Sequence, residues 1–351
     1  MKLLYITNGI TGIGGLERVL SVKTSYLADN LGYDICILSL NEKAKEPFYK
    51  FSPKIVFRSI DVIKRKSQYF LGIRRIVKEF APEVISVCDD GLKGFFVPLW
   101  IGGKAKIIYE RHVSKDMVTH GKSPNLKQKV SLLFMDIGSR LYDRFIVLTS
   151  DNKQQWRSKN VEVIPNPLPF YPDSVSELDN KRIISVGKVS VQKGYERLSE
   201  VWKLIKHEYP DWSIDIYGSV SNNSKLSEII KEATIQINEP VKNIQNEYLT
   251  SSIYVLPSRF EGFGMVLIEA MACGVPCVAF DCRCGPRDII KDGEDGFLVE
   301  NGDIKQFAKQ LSVLIEDEQL RKKMGRNARR NIQRYDVSII ANKWDELFKI
   351  L

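Results

Sequence analysis

The chain has 351 residues, of which 44% are hydrophobic and 27% are charged. These proportions are typical of a globular protein and exclude a disordered chain, and the length suits two domains better than one. The formal net charge is +9, which is compatible with nucleic acid, an anionic membrane surface or an anionic small substrate as a partner. No stretch of the sequence approaches the roughly 20 apolar residues that a membrane-spanning helix needs.

Strand and helix patterns alternate through the first half of the chain. Strands are predicted at 3–7, 34–40, 56–60, 84–88, 106–110, 145–149 and 161–164, with helices at 16–31, 71–80, 92–100 and 126–142. Strands that alternate with helices form βαβ units, so this pattern predicts a parallel sheet.

Four prolines between 165 and 172 interrupt the alternation, because proline fits neither a helix interior nor a central strand. The pattern then resumes, with strands predicted at 183–186, 213–217, 235–237, 253–257, 275–280 and 297–299, and helices at 195–207 and 337–351. The sequence therefore predicts an α/β protein of two Rossmann-like, doubly wound domains, 1–165 and 181–335, facing a cleft. We expect the last helix, 336–351, to pack back on the N-terminal domain.

The six cysteines bear on the cellular compartment and on metal binding. The first residues lack the apolar stretch and cleavage site of a signal peptide, so we expect a cytoplasmic protein with reduced thiols. Cys273, Cys277, Cys282 and Cys284 are close enough in sequence to suggest zinc. However, Cys273 follows a helical pattern, Cys277 lies on a strand-like one, and structural zinc sites usually contain CxxC pairs. We expect no metal.

A glycine-rich segment, 8–18, follows the first predicted strand and opens the first predicted helix. Glycines allow the backbone to approach a ligand closely, and a helix N-terminus attracts anions. The segment is therefore a candidate anion-binding loop. A flexible turn explains the segment equally well, because it is not GxGxxG and no acidic residue clearly ends the second strand.

Two lysines, Lys188 and Lys193, follow the predicted strand that ends at Gly187. Open α/β sheets bind ligands at the carboxyl ends of their strands, where two ammonium groups could hold a diphosphate. The alternative is that both are solvated loop residues.

The segment 257–276 carries the most specific pattern of the sequence. A glycine-rich turn that includes Glu261 leads into a helix predicted from about 265 to 273, whose first amides are free to bind phosphate or sugar oxygens. Glu269 lies among apolar residues on that helix, and a carboxylate there is costly unless it is paired or binds something. The alternative is a helix-capping Glu261 and a partly exposed Glu269.

His112 directly follows a predicted strand of the first domain. The other two histidines lie in a polar loop and near a helix end. His112 is a candidate catalytic residue, and a structural role is an equally good explanation.

Taken together, these motifs resemble the retaining GT-B glycosyltransferases, and within them the bacterial surface-glycan enzymes of the group 1 (family 4) type. The resemblance rests on 14–18, His112, 186–194 and the two glutamates of 261–269, and it spans most of the chain from 9 to 300. It implies an N-terminal acceptor domain and a C-terminal nucleotide-sugar domain.

The resemblance also assigns roles to single residues. Glu269 would bind the ribose, Lys188 and Lys193 the diphosphate, and Glu261 the donor sugar. His112 would contact that sugar and support its developing positive charge, so that His112 and Glu261 are the expected catalytic pair. The remaining donor contacts would be Gly14, Gly15, Phe263, Gly264, Met265, Val266 and, for the base, Pro240. The family usually has arginine in place of Lys188, and lysine loses the fork geometry.

The implied reaction moves a hexose-type sugar from a nucleotide sugar, with UDP expected, to a glycan or lipid-linked glycan with retention. The leaving nucleoside diphosphate gains negative charge, which two lysines and a helix N-terminus can stabilise without a metal. Asp89 and Asp90 form an acidic pair after a strand but lack a partner motif. We therefore expect no cofactor.

Basic residues lie beside apolar ones at 63–66, at 69–75 and at 122–134. This pattern suits an anionic membrane surface, and therefore peripheral attachment to the inner face of the cell membrane and a lipid-linked acceptor. Solvated helix faces explain it equally well. A nucleotide-sugar epimerase and a non-enzymatic polyanion-binding protein are the rival functions, although the basic clusters carry no recognisable nucleic-acid module.

Overall fold

A computed structural model describes residues 1–43, 45–63, 67–119, 123–220 and 224–351. The chain divides into two compact units. The first unit comprises Met1–Pro169 and Tyr335–Leu351, and the second unit comprises Phe170–Arg334.

The first unit contains a seven-stranded parallel sheet in the order β3-β2-β1-β4-β5-β6-β7. Its strands are β1 (Lys2–Thr7), β2 (Asp34–Leu40), β3 (Val56–Ile60), β4 (Val84–Cys88), β5 (Lys106–Arg111), β6 (Arg144–Val147) and β7 (Val161–Val163). Its helices before Pro169 are α1 (Gly15–Asn30), α2 (Gln68–Phe80), α3 (Pro98–Ile101), α4 (Asp116–Thr119), α5 (Leu126–Ser139) and α6 (Ser150–Gln154). The strand order reverses between β1 and β4, which is where such sheets bind ligands.

Apolar strands explain why this sheet is buried on both faces. Every residue of β4, Val84–Cys88, is buried, as expected for a parallel strand covered by helices on both sides. The predicted helix at 92–100 is wrong. A 3-10 turn at Gly94–Phe96 and the short α3 replace it, because Pro98 fits the first turn of a helix but not its interior.

The second unit contains a six-stranded parallel sheet in the order β10-β9-β8-β11-β12-β13. Its strands are β8 (Arg182–Val186), β9 (Ser213–Tyr217), β10 (Gln236–Asn238), β11 (Ile253–Leu256), β12 (Cys277–Asp281) and β13 (Gly296–Glu300). Its helices are α7 (Tyr195–Ile205), α8 (Ser224–Glu232), α9 (Ile244–Leu249), α10 (Met265–Ala272), α11 (Pro286–Ile289), α12 (Ile304–Glu316) and α13 (Glu318–Ile332). The core of this unit packs strand residues such as Ile183 and Val255 against Trp202 and Phe307 of the helices.

The last helix, α14 (Val337–Ile350), belongs to the first unit and packs against α1. Its buried face includes Trp344, Leu347 and Phe348. The Tyr33 hydroxyl donates to Asp345 Oδ1 at 2.6 Å and fixes the register of the helix. None of the helices in the described part of the chain is long and apolar enough to span a bilayer.

Candidate active site

The loop after β8 places the two predicted lysines in different environments. Lys188 is exposed and forms no ion pair with any residue that the structure describes. Lys193 lies on a 3-10 turn, and its Nζ is 2.7 Å from Glu261 Oε1. Gly194 ends that turn at φ +67, and a Cβ there would come within 2.2 Å of the Pro257 carbonyl oxygen. Only glycine therefore allows the two loops to approach so closely.

The loop that carries Glu261 is held by backbone hydrogen bonds on both sides. The amide of Arg259 donates to Gln192 O at 2.8 Å, and the amide of Glu261 donates to Arg283 O at 3.2 Å. Farther along, a Cβ on Gly285 would lie 1.9 Å from the Phe263 carbonyl oxygen. The segments on either side thus fix the path of the loop, because neither could move without breaking backbone contacts.

The loop ends in the N-terminus of α10. Gly264 is its N-cap residue, with φ 96, and within the described chain no side chain caps this end of the helix. The Leu267 amide donates to Gly264 O at 2.9 Å. The amides of Met265 and Val266 therefore keep their hydrogen-bonding capacity at the positive end of the helix dipole. Met265 and Val266, at the start of α10, are half-buried. The predicted donor contacts Phe263, Gly264, Met265 and Val266 all lie at this end of the helix.

Glu261 is buried, and its side chain is 7% exposed against 18% for Lys193. Their contact neutralises a carboxylate that would be costly to bury alone. The pair also affects a neighbouring thiol. Burial first, and then the negative charge of Glu261, raise the pKa of Cys282 well above its usual range.

Glu269 is 3% exposed, so the alternative of a partly exposed carboxylate is wrong. The Tyr248 hydroxyl, on α9, donates to Glu269 Oε2 at 3.1 Å. Pro240 lies in the same unit, half-buried in the segment between β10 and α9. The structure thus places all of the predicted C-terminal residues in the second unit and joins Lys193 to Glu261 directly.

The first unit holds the other predicted contacts, Gly14, Gly15 and His112. Both glycines are exposed at the start of α1, where no side chain of the described residues caps the helix. A Cβ on Gly14 would come within 2.5 Å of Glu17 Oε2. The absence of a side chain at Gly14 therefore leaves room for the Glu17 carboxylate beside the loop.

Glu42 anchors the glycine-rich loop, and sequence reasoning missed it. Its carboxylate accepts the amide of Ile10 at 2.8 Å, and the amide and hydroxyl of Thr11 at 3.2 and 2.5 Å. Burial alone would raise the pKa of Glu42, but these hydrogen bonds lower it below its usual range. The signal was an acidic residue two positions beyond the end of β2, where Rossmann-like folds carry a ribose ligand. Here it binds the protein's own backbone.

His112 borders a buried polar cluster. Its side chain is 6% exposed, and its Nε2 lies 3.4 Å from Glu110 Oε2, which is long for a hydrogen bond. Glu110 also accepts from Lys23 Nζ and from the Ser86 hydroxyl, each at 2.5 Å. Burial alone would raise the pKa of Glu110, but the Lys23 ammonium and the contacts with His112 lower it to about 2.

One group of described side chains, Cys88, Glu110 and His112, is close enough together to hold a metal ion. The Lys23 ammonium already supplies a positive charge to this carboxylate, which makes the cluster a poor cation site. The four cysteines between 273 and 284 are buried free thiols, and they form no metal-binding group within the described residues.

The acidic pair after β4 is also engaged by protein groups. Asp89 is buried and accepts from the Tyr69 hydroxyl at 2.7 Å and from Asn8 Nδ2 at 2.9 Å. Asp90 Oδ1 lies 3.1 Å from Arg111 Nη1. These contacts give both carboxylates a structural role.

Comparison with known proteins identifies the class. Residues 171–331 match the family model for "Glycosyl transferases group 1". The chain is 32% identical over 99% of its length to the amylovoran biosynthesis glycosyltransferase AmsD of Erwinia amylovora, of which it covers 99%. It is 25% identical, over 99% of its length and 98% of the relative, to a Campylobacter jejuni N-acetylgalactosaminyltransferase whose name describes a glycan linked to undecaprenol through PP.

Among solved structures, the chain is similar to TarM of S. aureus with a TM-score of 0.83, at 16% identity and over 99% of both chains. That crystal structure is a complex with fondaparinux, alpha-GlcNAc-glycerol and UDP. The two parallel α/β units are therefore the GT-B glycosyltransferase fold. The chain itself belongs to the group 1 glycosyltransferases. This membership disfavours both the epimerase and the non-enzymatic polyanion-binding protein.

Proposed function

We propose that this glycosyltransferase moves a hexose-type sugar from a UDP-sugar to a growing bacterial surface glycan, with retention and without a metal ion. The observation that carries the proposal is the uncapped N-terminus of α10, which directly follows the loop that carries Glu261, the partner of Lys193. Backbone amides and ammonium groups are the donors that a diphosphate requires. Capsule and lipopolysaccharide synthesis are the processes in which such products are used.

The environments of single residues support their proposed roles. Lys188 is exposed and free to bind phosphate oxygens, whereas Lys193 shares its charge between Glu261 and the ligand. Glu269, oriented by Tyr248, binds the ribose hydroxyls. Pro240 contacts the base. Glu261 and the amides of Phe263, Gly264 and Met265 contact the sugar.

Metal-free catalysis follows from where the charge develops. As the sugar leaves, negative charge grows on the diphosphate oxygens, and the fixed dipole of α10 together with the lysine charges stabilises it. Positive charge grows on the sugar ring, where we place His112 as a neutral support. The acceptor hydroxyl attacks C1 of the sugar from the face of the departing diphosphate as the C1–O bond to the phosphate breaks. The hydroxyl proton passes to the leaving diphosphate, and attack from this face gives retention.

Donor identity and metal independence can be tested together by thermal shift with UDP, GDP and ADP sugars in EDTA, because a ligand that binds the folded state raises Tm. We expect a UDP-sugar to raise Tm. Glu269→Ala should abolish the shift, whereas Glu208→Ala, at an exposed position of the same unit, should leave it intact. Turnover that requires magnesium or manganese would refute metal independence.

The stereochemistry requires a separate experiment. Proton NMR of the purified product glycoside distinguishes the two anomers, because the configuration of a glycosidic bond is fixed once it has formed. Product with the anomeric configuration of the donor supports retention, and the opposite anomer would refute it.

We further propose that the enzyme lies on the inner, anionic face of the cell membrane, where a lipid-linked acceptor would be presented. Five apolar side chains at helical spacing on α5 are exposed, and Lys127 and Lys129 beside them are exposed as well. Exposed apolar residues flanked by lysines suit an anionic lipid surface. The five are Leu126 at 78%, Val130 at 45%, Leu133 at 57%, Phe134 at 46% and Ile137 at 44% exposed.

The other basic segments contribute less to this proposal. Leu71, Arg74 and Arg75 are exposed on α2, whereas residues 64–66 and Lys122 lie outside the described residues. Sedimentation with phosphatidylglycerol and phosphatidylcholine vesicles tests the idea. We expect salt-sensitive binding to the anionic vesicles, lost in Leu133→Glu/Phe134→Glu and kept in Lys153→Met. Absence of binding at low salt would refute it.

A further inference from the structure

The cluster beside His112 contains a buried ion pair that the proposed chemistry does not use directly. Lys23, on α1, and Glu110, on β5, are each 1% exposed, and their charged atoms are 2.5 Å apart. The Ser86 hydroxyl, on β4, fills another position on the carboxylate. The pair is therefore fully enclosed in the first unit.

The surroundings leave Lys23 with Glu110 as its anionic partner. Its Nζ lies over the Trp344 ring, 4.1 Å from the centroid, and 4.9 Å from the centroid of Tyr5. Trp344 belongs to α14, so the C-terminal helix closes the site of the ammonium group. An enclosed ion pair stabilises a fold no better than well-packed apolar residues of similar volume. Stability alone therefore gives a weak reason for this pair.

The position of His112 gives a better reason for the buried Lys23–Glu110 pair. Its Nε2 lies 3.4 Å from the same Glu110 oxygen that Lys23 contacts. Its Nδ1 is buried and has no hydrogen-bond partner among the residues that the structure describes. An Nε2–H directed at Glu110 would leave Nδ1 as the acceptor nitrogen of the ring, and such hydrogen bonds often tighten only when substrate is bound.

We propose that Lys23 is a positioning residue that acts through Glu110 to keep the His112 imidazole oriented and neutral. Because Lys23 supplies the charge that balances Glu110, the imidazole need not be protonated to do so. Without Lys23, Glu110 would take its counter-charge from His112, and the resulting imidazolium would repel the positive charge that develops on the sugar. The inference rests on the proposed function only for this last consequence.

The other charged and titratable groups around the imidazole allow this assignment. Arg111, which follows Glu110 on β5, pairs with Asp90. Burial raises the pKa of the Glu17 carboxyl, on α1, and the nearby His112 opposes this rise only weakly. Cys88 lies on β4 and Tyr5 lies on β1. Burial raises the pKa of each well above its usual range, so both remain uncharged. Lys23 is thus the ammonium group placed to balance Glu110.

Histidine NMR tests the proposal without requiring enzymatic activity. The chain has three histidines, so protein labelled with 15N-histidine can be assigned with His120→Gln and His207→Gln. We expect the neutral Nε2–H form of His112 at pH 7 in the wild type. In Lys23→Met, its signals should titrate at least about one pH unit higher, since a carboxylate within ~4–6 Å shifts a base by 1–3 units.

The double variant Lys23→Met/Glu110→Gln removes both charges and should return the titration of His112 to its wild-type range. It also keeps the proposal testable if the single variant unfolds. Lys153→Met, an exposed lysine of the same unit, should change nothing. If His112 titrates identically in the wild type, Lys23→Met and the double variant, the proposal is wrong.

Activity measurements separate this inference from the proposed function. The acidic limb of the kcat/KM profile should move to higher pH in Lys23→Met, and donor KM should change less than kcat. If the NMR titration moves while no variant transfers sugar, the proposed function fails and the positioning role remains. A uniform loss of activity with an unshifted profile would reduce Lys23 to a structural residue.

Discussion

The Lys193 ammonium lies 2.7 Å from the Glu261 carboxylate, with side chains that are 18% and 7% exposed. The two residues are 68 positions apart in sequence and lie on loops that follow β8 and β11. One contact therefore joins a proposed phosphate ligand to a proposed sugar ligand. Donor binding and the charge on Glu261 should be coupled through it.

Lys193→Met should weaken both folding and donor binding. Glu261 would remain buried without its partner, a change that costs about 3–5 kcal/mol for a fully buried pair and less here, where Lys193 is partly exposed. We expect a lower Tm and at least about a tenfold higher donor KM, equivalent to ~1.4 kcal/mol.

The double variant Lys193→Met/Glu261→Gln separates the two effects. It should recover most of the Tm but none of the donor affinity, as measured by calorimetry and steady-state kinetics. Recovery of donor affinity would exclude Lys193 from phosphate binding.

For Lys188 we expect an effect on donor binding without an effect on stability. Its side chain is exposed and forms no ion pair with other described residues, so Lys188→Ala should leave Tm unchanged. Loss of a charge-assisted contact worth roughly 1.5–3 kcal/mol should raise donor KM about tenfold or more.

Lys188→Arg restores the charge and adds a fork that matches phosphate. It should equal or exceed the wild type in affinity for the nucleoside diphosphate, as measured by titration calorimetry. Equal affinities in Lys188→Ala and the wild type would show that this lysine is a solvated loop residue.

Glu42 should make the stability of the first unit depend on pH in the acidic range. Its folded pKa is depressed by the hydrogen bonds from Thr11 and Ile10, so its contribution is present above the ordinary glutamate pKa and is lost as the pH falls through the folded value. Glu42→Gln should therefore lower Tm at pH 7 and have a smaller effect at pH 3.5. A Tm difference that is the same at both pH values would contradict the assignment.

The thiols should be inert in the folded protein. All six cysteines are buried, and burial raises the pKa of Cys277 and Cys282 well above the usual range for a thiol. Ellman's reagent at pH 8 should therefore react slowly with native protein and rapidly with all six thiols in guanidinium. Fast reaction of native protein would show that one of them is accessible.

The sequence by itself determined the two parallel sheets and the position of most of their strands. β-branched runs between helical patterns are local signals, and parallel pairing follows because each helix returns the chain to the same edge. The glycine-rich turn before Met265 could be predicted for the same reason, since the start of a helix is determined by a few adjacent residues. The roles of the individual site residues were not decided in this way and stay predictions.

Only the tertiary structure decided which charges meet. Lys193 pairs with Glu261, and Lys23 pairs with Glu110 beside His112. Glu42 binds the backbone of the loop at Ile10 and Thr11. Each contact joins residues more than 30 positions apart in sequence. Periodicity reports whether a side chain is buried, but not which partner it meets, because the partner depends on strand order and on how far each loop reaches across the sheet edge.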